Sequence, residues 1–168
     1  MSENQNKIYS SKQENQIAKY LDWKVVSGSG ARFCPGDVIS DMWLGECKTH
    51  NKPGYKIEFR ASTWNKIYLE SVSLMKKPVY FVDDGSQNLT STWVMFPWLP
   101  LQDVSKFKYP GRVGSSIRFD SENLKHAIQL FETASSSSGK STVFELLFNK
   151  DTVWMTTIDR FLEILQEV

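Results

Sequence analysis

One apolar stretch of this chain carries ionisable residues that could act together. In "PGDVISDMWLGECKTH", residues 35–50, Asp37, Glu46 and Lys48 are interspersed with Val38, Ile39, Met42, Trp43 and Leu44. Side chains alternate along a strand, so Glu46 and Lys48 share a face and Cys47 points to the other. With 37–43 and 45–50 read as two strands joined by a turn near Leu44–Gly45, Asp37 converges with Glu46 and Lys48 at one end of a sheet. Ionised groups among buried strands are costly unless something pairs with them. Two carboxylates a few ångströms apart raise a pKa unless a cation lies between them. Oxygen ligands with open positions suit Mg2+ or Mn2+. Such an ion lowers the pKa of a bound water and stabilises a displaced phosphate oxygen. A lysine on the same face orients or helps deprotonate that water, or neutralises charge on the phosphate. Asp41 falls outside the set, because strand rise puts it more than about 12 Å from Asp37. The simpler alternative is a surface hairpin whose charges are solvated.

Two further features point to the same place. Upstream lies "SGSG", Ser27, Gly28, Ser29 and Gly30, followed by Arg32. Its amides and hydroxyls suit phosphate contacts. Glu14 stands some two dozen residues before Asp37, on a helix expected to begin at Ser11 with Ser10 or Ser11 as cap. His50 reads as a satisfied or exposed side chain, since hard oxygen sites rarely use imidazole.

The elements that must position these groups are read from periodicity. Residues 1–10 read as a frayed tail, and the helix from Ser11 carries Ile17, Ala18 and Leu21 on one stripe. Short strands are expected at 23–26 and 55–59. A helix is expected over 62–77, with Trp64, Ile67, Tyr68, Val72 and Met75 on one face and Pro78 as its stop. Strands are expected at 79–84, 92–98, 115–119 and 142–148, and helices at 120–132 and 156–168. The last carries Ile158, Phe161, Leu162 and Leu165 on its apolar face, for core packing or dimerisation. Alternating strands and helices, some strands hairpin-linked, predict an α/β fold: a mixed β-sheet flanked by helices.

With Glu14, SGSG, "PGD" and "ECK" in this order, the chain resembles the PD-(D/E)xK nuclease superfamily, most closely its archaeal and phage Holliday-junction resolvases. The resemblance covers residues 10–98; 99–168 would be a C-terminal α/β extension of one domain spanning 1–168, completing the core or forming an interface. It implies a restriction-endonuclease-like core. It also implies that Asp37, Glu46 and the Cys47 carbonyl hold Mg2+ or Mn2+, that Glu14 supports the metal shell, and that Lys48 assists catalysis. Ser27, Gly28, Ser29, Gly30 and Arg32 would contact DNA. The implied activity is a Mg2+-dependent endodeoxyribonuclease on branched DNA, acting as a homodimer because a symmetric junction needs two coordinated cuts. A nuclease on ordinary duplex or DNA ends, or a non-catalytic DNA-binding scaffold on the same fold, are the alternatives.

The remainder of the chain narrows the choice. Of 168 residues, 40% are hydrophobic and 13% aromatic, enough for a real core. Residues 1–118 are net positive and 119–168 net negative, so an anion would face the first part. Lys7, Lys12, Lys19, Lys52, Lys56 and Arg60 are further candidate phosphate contacts, or solvated surface. Two cysteines, Cys34 and Cys47, fit reduced thiols. "ASSSSGKST" (134–142) approaches a phosphate loop, but a helix precedes it and a strand-like run follows, which argues for a plain loop and against a nucleotide cofactor. No apolar signal region opens the chain and no stretch approaches 18 apolar residues, so a soluble cytoplasmic protein without a membrane partner is expected, in the host cytoplasm if phage-encoded.

Overall fold

The computed structural model describes residues 3–28, 35–134 and 141–168. Helix α1 (Glu3–Leu21) comes first. It starts well before the expected cap, so Ser10 and Ser11 are interior and the frayed tail is a correction. No glycine or proline interrupts this stretch, and the Tyr9 carbonyl accepts a hydrogen bond from Gln87 Nε2 that ties it to a distant loop. Only the later turns are buried, through Gln13, Glu14, Ile17, Ala18 and Leu21.

Three short strands follow: β1 (Lys24–Val25), β2 (Val38–Ile39) and β3 (Trp43–Lys48). The turn lies at residues 40–42, three residues earlier than expected. Ser40 N–H donates to the Trp43 carbonyl at 3.0 Å, and Trp43 N–H donates to Ser40 Oγ at 3.1 Å. Gly45 is therefore a strand residue. A Cβ there would lie 2.6 Å from Val38 Cγ2 and 2.9 Å from Phe81, so the glycine serves close packing rather than a turn.

Beyond β3 the chain forms β4 (Ile57–Arg60), α2 (Ala61–Ser73), β5 (Lys77–Val82) and β6 (Trp93–Pro97). α2 ends earlier than the expected residue 77. The chain turns at Met75, φ +55°, because β5 must already be extended at Lys77 to pair with Trp43. Pro78 lies inside β5, and the residue before a proline disfavours helix. The expected stripe holds for Trp64 and Ile67 but not for Tyr68, Val72 and Met75, which are exposed; Ser71 takes the buried position.

The last third supplies β7 (Val104–Lys108), β8 (Ser116–Phe119), α3 (Ser121–Ala134), β9 (Ser141–Phe148), β10 (Asp151–Thr157) and α4 (Ile158–Gln166). β7 and β10 were not foreseen, and Thr156 and Thr157 belong to β10 rather than to the final helix. The main sheet runs β1-β2-β3-β5-β6-β10-β9-β7, while β4 and β8 form a separate ribbon. β3/β5 and β7/β9 are parallel; the other pairs are antiparallel. The fold is thus mixed α/β, as expected. Residues 99–168 complete this sheet, because β10 pairs along the whole of β6.

Both faces of the sheet are covered, which explains the near-continuous apolar runs of β5 and β6. Leu44, Tyr80, Val82 and Met95 face Phe59, Trp64, Ile67 and Ile128. Trp43, Phe81, Phe96 and Trp154 face Ile17, Leu21, Ile158 and Phe161. Phe161 contacts the rings of Trp23, Trp43, Phe81 and Phe96, so α4 packs on the core. No helix among the described residues is long and apolar enough to cross a membrane.

Arg160 joins α4 to α3 through a two-pronged contact with Glu132, at 2.7 and 2.6 Å. That hydrogen bond holds the Glu132 carboxyl below its ordinary value of 4.5. Its contribution is complete above that pH and is lost as pH falls through the lower folded value. Glu132→Gln is expected to cost about 1 kcal/mol at pH 7, and urea titrations should show the difference from the native chain shrinking as pH falls below 4.5. An unchanged difference across that range would refute the assignment.

Candidate active site

The short β2–β3 hairpin sets the position of Asp37. Val38 pairs with Gly45, and Asp37 stands one residue earlier, where the regular ladder ends. Asp37 N–H donates to the Gly45 carbonyl at 2.7 Å, and the Asp37 carbonyl accepts from Val26 N–H at 2.9 Å. Its side chain continues the ladder: Oδ2 accepts the Cys47 N–H at 2.8 Å. Before it, Gly36 has φ +69°, and a Cβ there would meet Leu44 Cδ1 at 2.8 Å. The "PGD" sequence is thus a steric requirement for bringing Asp37 against β3.

Glu46 is 3% exposed and is flanked by two ammonium groups. Lys48 donates to Oε1, as their shared strand face predicts, and Lys66 of α2 donates to Oε2 at 3.1 Å. Lys66 also lies 3.8 Å from Glu70, whose carboxylate accepts the Gly36 N–H at 3.1 Å. A charged chain therefore runs from β3 through α2 to the Asp37 loop. Lys66 and Glu70 escaped the sequence reading. The available signal was their i,i+4 spacing on a helix that must cross back over β3 to make β5 parallel to it. From the opposite face, Gln13 Nε2 donates to the Lys48 carbonyl at 2.9 Å, which fixes α1 against the end of β3. Glu14 follows on that buried turn.

Electrostatics confirm that Glu14, Asp37, Glu46 and Lys48 share one neighbourhood. Burial, then the Asp37 charge, raises the Glu14 carboxyl; Lys48 opposes and Glu46 adds. Burial, then Glu46, raises Asp37, against the Cys47 N–H and the two lysines. Burial alone would lower the Lys48 ammonium, but Glu46 and its hydrogen bond outweigh it, and the group is held above its ordinary value. The Cys47 thiol is free, buried and pushed well up by burial, so it is inert, and this residue meets the site through its backbone.

Among the described residues, no three His, Cys, Asp or Glu side chains gather as a metal cage. Mg2+ does not need one: it is held by one or two carboxylates and keeps several waters. Asp37 and Glu46 would supply the carboxylates. A strand residue's N–H and C=O point to the same edge, so the Cys47 carbonyl faces the Asp37 side. This donor set would be all hard oxygen, which suits Mg2+ or Mn2+, and Lys48 would have to give way at Glu46 Oε1.

Other expected residues are more dispersed. Ser27 and Gly28 are exposed, with Gly28 at φ +77°; Ser29, Gly30, Arg32 and Cys34 lie outside the described residues. So do residues 135–140 of the serine-rich segment. Its flanks are helix α3 and strand β9, in the order opposite to a phosphate loop. His50 stacks on Tyr55 at 4.0 Å, and Asp41 is exposed on the turn. No protein-family model matches the chain, and neither does any curated protein or solved structure.

Proposed function

We propose that this protein is a metal-dependent endodeoxyribonuclease with a restriction-endonuclease-like core. The observation that carries the reading is the meeting of Asp37, Glu46, the Cys47 edge carbonyl and Lys48 at one sheet end, with Glu14 brought in from α1. The order of parts supports it as well: hairpin, crossover helix α2, β5 parallel to β3, then antiparallel β6. Mg2+ or Mn2+ held by Asp37, Glu46 and the Cys47 carbonyl would acidify water and stabilise charge on the scissile phosphate.

The chain's own residues divide the remaining work. The Cys47 N–H occupies one Asp37 oxygen and leaves the other free to bind. Lys48, released from Glu46 by the ion, would serve as a cation for the phosphate or orient the attacking water. Lys66 steadies Glu46. Branched DNA is the proposed substrate class, and a homodimer the form that cuts both strands of a symmetric junction.

The test incubates the protein with labelled four-way junction, linear duplex and single-stranded DNA, with Mg2+ and with EDTA. Metal-dependent cleavage of the junction above the duplex is expected. No cleavage of any substrate would sink the nuclease, and equal rates on duplex would remove only the junction preference. The two lysines neutralising Glu46 favour a second reading, a non-catalytic DNA-binding scaffold. Mn2+ affinity separates the two: the nuclease loses it in Glu46→Ala, whereas the scaffold shows no difference.

A further inference from the structure

Next to Lys48 the protein has a cleft of about 230 Å³ that the carboxylate cluster does not use. It exists because β4 pairs with β8 and not with the main sheet, so Glu58 and Arg60 stand off from β5. Lys48 lines one side, and Glu58, Arg60, Thr63, Tyr80 and His50 line much of the rest. A group held there lies beside the phosphate that Lys48 would face.

The lining is built in advance. Tyr80 is 1% exposed and held edge-on by Phe59 at 5.0 Å, which fixes the ring as a wall. The His50 ring is braced by Tyr55, stacked at 4.0 Å with 11° between planes, and the Lys52 ammonium lies 5.8 Å from the Tyr55 ring. Arg60 is tied to Glu58 at 3.1 Å. Rigid rings, one carboxylate, hydroxyls and cations are the groups that stack on a base, bond its edge and hold its phosphate. The volume is of the order of a single nucleobase with part of its sugar.

We infer that this cleft takes an unpaired nucleotide adjacent to the scissile phosphate, so that the DNA selected is one whose strands splay apart. The inference rests on the nuclease reading for the position of the phosphate, but the cleft itself is tested without cleavage. In EDTA, fluorescence anisotropy measures affinity for a forked duplex with splayed single-stranded arms and for a fully paired duplex of the same length. The native protein is expected to prefer the fork. Thr63→Trp, which fills the cleft, and His50→Ala, which removes the braced ring, are each expected to cut the fork-to-duplex ratio about tenfold.

A native protein without preference for the fork, or a preference that survives both substitutions, would overturn the inference. Reduction of the ratio by either variant, with its circular dichroism unchanged, supports it. The two readings fail separately. Fork preference without Mg2+-dependent cleavage of any DNA overturns the nuclease and leaves the cleft. Cleavage without fork preference does the reverse.

Discussion

An Asp37→Asn variant is expected to be more heat-stable than the native chain and at least about a hundredfold slower in the proposed cleavage. Asparagine keeps an oxygen for the Cys47 N–H, so the hairpin register survives. What disappears is a charge that burial and Glu46 both disfavour. The sign follows from linkage. The folded pKa of Asp37 lies above its ordinary 3.8, so the native fold holds this proton more tightly than the unfolded chain does. Stability is complete below that value and is lost as pH rises through the folded pKa. The variant escapes this loss, with a Tm higher by roughly 2–4 °C at pH 7 and no gain near pH 3. Saturating Mg2+ should reverse the order, because only the native site gains from the ion. Undiminished cleavage, or a lower Tm without metal, would contradict the role given to Asp37.

The second large effect concerns Glu46. Its side chain is 4% exposed, whereas those of Lys48 and Lys66 are 50% and 55% exposed. Removing one lysine leaves the other in place, and each single change to methionine is expected to cost no more than about 1 kcal/mol. The double variant Lys48→Met/Lys66→Met strands a buried carboxylate, which costs about 3–5 kcal/mol. Denaturant titration reads this directly, and adding Glu46→Gln to the double variant should restore most of the loss. Additive small losses would show that Glu46 does not depend on the pair.

The candidate site was legible from sequence where it depended on short-range rules. Strand alternation placed Lys48 on Glu46, and the hairpin expectation brought Asp37 to the same sheet end, although by a different turn and register. Lys66 and Glu70 were not legible, because their role depends on how α2 crosses the sheet. The misplaced turn has a physical cause: Gly45 resembles a turn signal, yet it is small because Val38 and Phe81 press on it. Pro78 misled in the same way, since local propensity marks where a helix must stop and not where pairing with β3 makes it stop. β10 was missed because "DTVWMTT" takes its identity from β6 and β9, which flank it on both sides.

That insertion has a consequence for synthesis. β6 lies between β5 and β10, and β10 leaves the ribosome well after β6. Until Asp151–Thr157 emerges, the nascent chain carries the apolar strand Trp93–Pro97 with one edge unpaired. An open edge of this kind is a template for pairing with other chains. Translation arrest or premature termination before residue 151 would therefore yield aggregating fragments that contain every proposed catalytic residue and none of the strand that covers the open edge of β6.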